Sequence, residues 1–92
     1  MPYGDLEKVL GTFLEIQKNL GKYIHVYFKD GREVEGKLSN EIGDFYLKWP
    51  KIFVSFKDAV VKYRGREKKY QTLRLILEPL LENFEYEFFD ES

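Results

Sequence analysis

From Tyr23 onward, apolar and polar residues take turns. Ile24, Val26 and Phe28 are interleaved with Tyr23, His25, Tyr27 and Lys29, the period of a strand with one buried face. Asp30-Gly31 follows, a tight-turn pair because Gly takes positive φ without penalty and Asp tolerates it. Val34, Gly36 and Leu38 then alternate with Glu33, Glu35 and Lys37, so the spacing predicts a hairpin of strands 23–29 and 32–39. Gly36 falls inside the second strand on its apolar face. Gly there costs stability unless the sheet bends sharply or another backbone comes close, which predicts the curvature of a small barrel. After the polar segment Asn40–Asp44, Phe45, Leu47 and Trp49 mark a third strand that Pro50 ends. Ile52, Val54 and Phe56 mark a fourth, and Lys57-Asp58 reads as a turn into a fifth over Ala59–Arg64. Upstream, Asp5 can cap a helix whose face is Leu6, Val9, Leu10, Phe13, Leu14, Gln17 and Leu20, stopped by Gly21.

The last third fits two periods. Tyr70, Leu73, Leu77, Leu80, Leu81 and Phe84 suit a helix face, while Leu73, Leu75 and Leu77, then Phe84, Tyr86 and Phe88, suit strands. Pro79 sits where a long helix needs a donor, so strands over 72–78 and 84–89 are the preferred reading. The expected fold class is mostly β: an N-terminal helix, then a five-stranded, strongly bent SH3-like small barrel over 1–64. Residues 65–92 are expected to form an extension, basic then acidic, packed on the same domain.

Composition adds one informative asymmetry. Residues 1–77 carry all fifteen Lys and Arg against ten acids, whereas residues 78–92 carry six acids and no base. Such a split suggests a basic working surface and an acidic tail, either disordered and competing with nucleic acid or docked through its aromatics. Eight Phe, seven Tyr and one Trp make a rich core for a chain of 92 residues. Cysteine is absent, which excludes disulfides and thiolate metal sites. No apolar run has the length of a membrane span and no signal pattern opens the chain, so a cytoplasmic location without membrane contact is expected.

Catalysis is not expected. Glu33 and Glu35 share an outer strand face, where paired acids are usually solvated. Ser39, Ser55 and Ser92 have no Gly-rich nucleophile turn around them, and no helix starts after Gly31 or Gly36 to complete a phosphate loop. His25 is the lone His and no carboxylates stand at metal-ligand spacing, so neither metal nor cofactor is expected.

The helix, the Asp30-Gly31 hairpin, the Gly36 strand and the strands after it resemble the Sm/LSm family, including its Hfq-type members, over residues 5 to 64. Counted from Gly36, Leu38, Phe45, Leu47 and Trp49 fall on apolar positions of the family's first motif, and Phe56-Lys57-Asp58-Ala59-Val60 on its second. The resemblance implies a homo-oligomeric ring that binds single-stranded RNA or scaffolds a ribonucleoprotein. It places Ile42, Asp44 and Tyr46 where the family holds uridine with an Asp, a stacking residue and an Asn, and only Lys57 keeps its type. On the opposite ring face Tyr27 and Gly31 match residues used for purine-rich RNA, with Arg32 replacing an aliphatic. The ring contact expected from it pairs Ile52, Val54 and Phe56 with Val60, Val61 and Tyr63 of the next subunit.

Beyond the resemblance, Lys57, Lys62, Arg64, Arg66, Lys68, Lys69 and Arg74 near Tyr63 and Tyr70 could contact phosphates while rings stack on bases. Arg64, Lys68 and Lys69 are therefore candidate RNA ligands; a solvated turn is the bland alternative. Tyr23, His25 and Tyr27 form an outward stripe, either a stacking surface or a seat for the C-terminal segment. The changed pocket also leaves two other functions open: a ring-forming interaction module that has lost RNA binding, and a monomeric SH3-like protein-binding barrel.

Overall fold

The computed structural model describes residues 3–90. A helix, α1 (Tyr3–Lys18), precedes six strands: β1 (Tyr23–Phe28), β2 (Glu33–Leu38), β3 (Tyr46–Lys48), β4 (Lys51–Tyr63), β5 (Arg66–Leu77) and β6 (Phe84–Phe89). They form one antiparallel sheet ordered β3-β4-β2-β1-β6, with β5 on the other side of β4. The sheet curls around Ile24, Val26, Val34, Leu38, Ile52, Val54, Phe56 and Ala59, all buried. The mostly β class with a helix first and a strongly bent barrel is as the pattern predicts.

Curvature has an identifiable cause. Glu35 pairs with Val60 but Lys37 pairs with Lys57, so β4 contains one residue more than β2 at this point. That extra residue is a bulge, with Asp58 at φ 53°. Opposite it stands Gly36, where a Cβ would lie 3.0 Å from Phe56 Cβ and 3.2 Å from Ala59 Cα. The missing side chain lets β4 cross close over β2. Lys57-Asp58 is therefore not a turn, and the fourth and fifth expected strands are one strand bent in its middle. The hairpin that follows turns at Arg64-Gly65, both at positive φ (51° and 77°), as a two-residue type I′ connection needs.

α1 closes one side of the barrel. Val9 and Ile16 are fully buried, Phe13 and Leu20 partly, and Phe13 stacks on Phe45 at 4.6 Å. The buried face is thus rotated from the expected one: Ile16 replaces Leu14, which is exposed, as is Leu6. The helix starts at Tyr3, so Asp5 lies in its first turn, where its charge suits the N-terminal dipole, and is not the cap. Residues beyond 64 supply β5 and β6. β6 pairs with all six residues of β1, Phe28 tilts against Phe84, and Tyr23 stacks on Phe89 at 5.6 Å. The acidic segment is therefore docked through residue 90; Glu91 and Ser92 lie outside the described residues.

Candidate nucleic-acid interface

The expected RNA ligands fall at two ends of β2. At the loop end, Asp44 faces inward and accepts a hydrogen bond from Ser39 Oγ (2.7 Å), while the Glu41 N–H donates to the same Oγ at 3.3 Å. Lys57 donates to Glu41 Oε1 at 2.9 Å, and that bond, with the nearby acids Asp44 and Asp58, holds its ammonium above the ordinary Lys value. Tyr46 stacks on its cross-strand partner Phe53, ring centres 4.6 Å apart and nearly parallel. This pair opens onto a depression of about 280 Å³ that Asp44, Arg74 and Ile76 also line. Ile42 is fully exposed and does not line it. Phe53 and Ile76 have no place among the sequence candidates; only the β3–β4 and β4–β5 registers bring them to Tyr46.

At the hairpin end, Gly31 (φ 98°) forms the turn. Arg32 is held by three neighbours: its Nε donates to Asp30 (2.8 Å), its Nη2 lies 3.5 Å from Glu82, and its guanidinium sits 4.5 Å over the Phe28 ring. The Arg32 N–H donating to Asp30 is the main reason that carboxyl sits below its usual range. Gly31 and Arg64 line one depression of about 400 Å³ with Glu33, Lys62, Tyr63 and Arg66.

Tyr27 stands apart from that depression. Its ring stacks on His25 at 4.0 Å, and its hydroxyl donates to Glu87 Oε1 at 2.9 Å, which raises the phenol above its ordinary value. His25 lies between Glu33 (2.9 Å) and Glu35 (3.4 Å). The stripe is thus flanked by β6 and engaged with carboxylates of β2 and β6. Among the described residues no group of three or more His, Asp or Glu is placed to hold a metal. Among the described residues no helix is long and apolar enough to cross a membrane.

Arg64, Lys68 and Lys69 belong to the β4–β5 hairpin, where every residue from Lys62 to Thr72 is exposed. The proposed subunit-contact residues sit elsewhere than expected. Ile52, Val54 and Phe56 are core side chains, and they share β4 with Val60, Val61 and Tyr63. Both edges of β4 are taken, by β5 along its length and by β3 and β2 on the other side. Pairing Ile52–Phe56 with Val60–Tyr63 of a neighbour is therefore blocked by hydrogen bonds already made within the chain. The long open edges are those of β5 and β6; β3, paired only with β4, adds one of three residues.

Among solved structures, the chain is similar to a heptameric archaeal Sm protein, with TM-score 0.52, 17% identity, and 83% of this chain and 97% of that one covered. It is also similar to the P. aerophilum SmAP1 heptamer, with TM-score 0.48, 22% identity, and 73% and 78% covered. No protein-family model and no curated protein matches. The likeness shows an Sm-like fold. At 83% of the chain the likeness covers more than residues 5–64.

Proposed function

We propose that the chain is a subunit of an Sm-like ring that binds single-stranded RNA without catalysis. The observation that carries the ring is the pair of long open edges. On β5, Leu73, Leu75 and Leu77 point to the core side; on β6, Phe84, Tyr86 and Phe88 do, and all but Leu77 are only partly buried. Joining the Leu73–Leu77 stretch to β6 of the next copy would continue one apolar face across the contact and satisfy both rows of backbone groups. Head-to-tail contacts of this kind close into rings. β6 has six residues against twelve in β5, so the hairpin half of β5 stays outside the contact. The similar archaeal Sm protein covered over 97% of its chain is a heptamer, which supports this reading.

RNA binding rests on the Tyr46–Phe53 stack beside Arg74, an aromatic platform with a cation at its rim. The engagement of Asp44 by Ser39 and of Lys57 by Glu41 favours the second reading, a ring that serves as an interaction module without RNA. Two measurements separate these. Native mass at micromolar concentration should show a closed oligomer, and a monomer would reject the ring. Oligo-uridine should bind with strong salt dependence and lose affinity in Tyr46→Ala; an assembled ring that binds no oligonucleotide leaves the interaction module.

A further inference from the structure

The register of the β4–β5 hairpin sorts its charged residues by face, which the sequence alone does not. Directly paired residues of antiparallel strands point the same way. Ala59 pairs with Tyr70, Val61 with Lys68 and Tyr63 with Arg66, so these six share one face. Beyond Ala59 and Val61 these positions are Tyr63, Arg66, Lys68 and Tyr70, none of them an acid, although Glu33 and Glu67 line the depression at Tyr63 and Arg66 and Asp58 lines that at Tyr70. The other face carries Lys62 and Lys69, but Glu67 lies opposite Lys62, and Glu33 and Glu35 of β2 pair with Lys62 and Val60.

We infer that this face of the hairpin is a second binding platform for a single-stranded polynucleotide, separate from the Tyr46 depression and independent of the ring. Tyr63 and Tyr70 are equally exposed, at 38% each. Arg66, cross-strand from Tyr63, is four residues from Tyr70, about 14 Å along the strand. That span matches roughly four stacked nucleotides at about 3.4 Å each. Arg66 beside Tyr63 and Lys68 between the two rings are placed to meet phosphates while the rings stack on bases. The Arg64 guanidinium, 5.2 Å over the Tyr63 ring, adds a third cation at the turn.

A second contrast points the same way. Lys22, Arg32, Lys51 and Lys57 each face a carboxylate within 4.0 Å. Arg66 and Lys68, like Lys62 and Lys69 on the other face, have no ion-pair partner among the described residues. Their charge is left for a polyanion. Stacking and phosphate contact are shared by RNA and DNA strands, so the chemistry recognised is the single strand itself.

The test compares two double variants with the same charge change. Arg66→Gln with Lys68→Gln should weaken binding of a labelled adenylate decamer, ribo or deoxy, by about tenfold. It should also flatten the log–log salt slope by about 1.4, two phosphates at ~0.7 each. Lys62→Gln with Lys69→Gln, two bases of the segment that the register turns to the opposite face and so outside this platform, should change affinity less than twofold. Tyr63→Leu with Tyr70→Leu should cost roughly thirtyfold or more, two bases at the lower end of ~1–3 kcal/mol each. Native mass and melting temperature, unchanged in all three, show that fold and assembly are intact. Equal losses from the two Gln pairs would overturn the face assignment, and equal binding of a duplex would overturn stacking. Binding abolished by Tyr46→Ala but untouched by the hairpin variants would overturn this platform and leave the Tyr46 reading standing. A preference for ribo over deoxy, or none, decides which strand is held.

Discussion

Gly36→Ala should destabilise the fold, although Gly to Ala in a strand is ordinarily mild. The added Cβ would sit 3.0 Å from Phe56 Cβ, 3.2 Å from Ala59 Cα and 3.3 Å from Ala59 Cβ. Carbon contacts are comfortable at about 3.5–4.0 Å, so all three are short by several tenths of an ångström. None of these atoms can swing away, because each is a Cα or a Cβ fixed by the backbone. Overpacking a tight site costs about 1–3 kcal/mol. Against this, Ala lowers the freedom of the unfolded chain, a gain of about 0.4–1 kcal/mol. The net loss is about 1–2 kcal/mol. With a urea slope of about 1–3 kcal/mol per molar for a small protein, the midpoint should fall by roughly 1 M. Assembly raises apparent stability with concentration, so parent and variant are compared at matched concentrations across a dilution series. A midpoint unchanged or raised at every concentration would refute the close approach of β4 to β2, and with it the explanation of the curl.

Two further outcomes are expected. Glu41→Gln releases Lys57 from its carboxylate, so oligo-uridine affinity should rise severalfold in an anisotropy titration; unchanged affinity would remove Lys57 from the interface. Asp30 is depressed in the folded state, so it adds stability above the unfolded carboxyl value of about 3.9 and loses it as pH falls through the folded value. Asp30→Asn should therefore shrink the acid-side loss of melting temperature below about pH 4, and identical acid limbs would contradict this.

Strand alternation was legible wherever one face meets the core. β1, β2 and β6 lie within a residue of the expected spans because Val, Ile and Phe alternate with polar residues there. Gly36 was also legible as a site of bending or close approach. Three features were hidden for physical reasons. Asp58 takes positive φ in a bulge, and Lys57-Asp58 carries the same local signal as a turn. The first half of β5, Arg66–Gln71, is exposed on both faces, so no apolar period marks it as a strand. The helix face was misjudged because apolarity does not show which Leu lies beyond the barrel's rim; Leu14 does, and Ile16 does not. The misplaced subunit contact follows from the first of these, since splitting β4 into two strands made its middle look like free edges.

The charge split along the chain takes a different meaning once the sheet order is known. A flexible acidic tail lying over the basic segment is closed to residues 84–89, because all six pair with β1 and Glu87 accepts from Tyr27. Bases cluster on β5, with Arg66, Lys68, Lys69 and Arg74 against Glu67, and β6 carries Glu85 and Glu87 with no base. β1, β2 and β4 stand between these strands, so within one copy the two charge groups are held at separate sheet edges. Between copies they are complementary. Joining β6 to β6 would set Glu85 and Glu87 against their own kind, whereas joining β6 to β5 brings them toward Arg74. At physiological salt the screening length is about 8 Å, so this preference acts only near contact. It therefore selects the polarity of assembly, head to tail, while the apolar face running from Leu73–Leu77 into Phe84–Phe88 supplies the affinity.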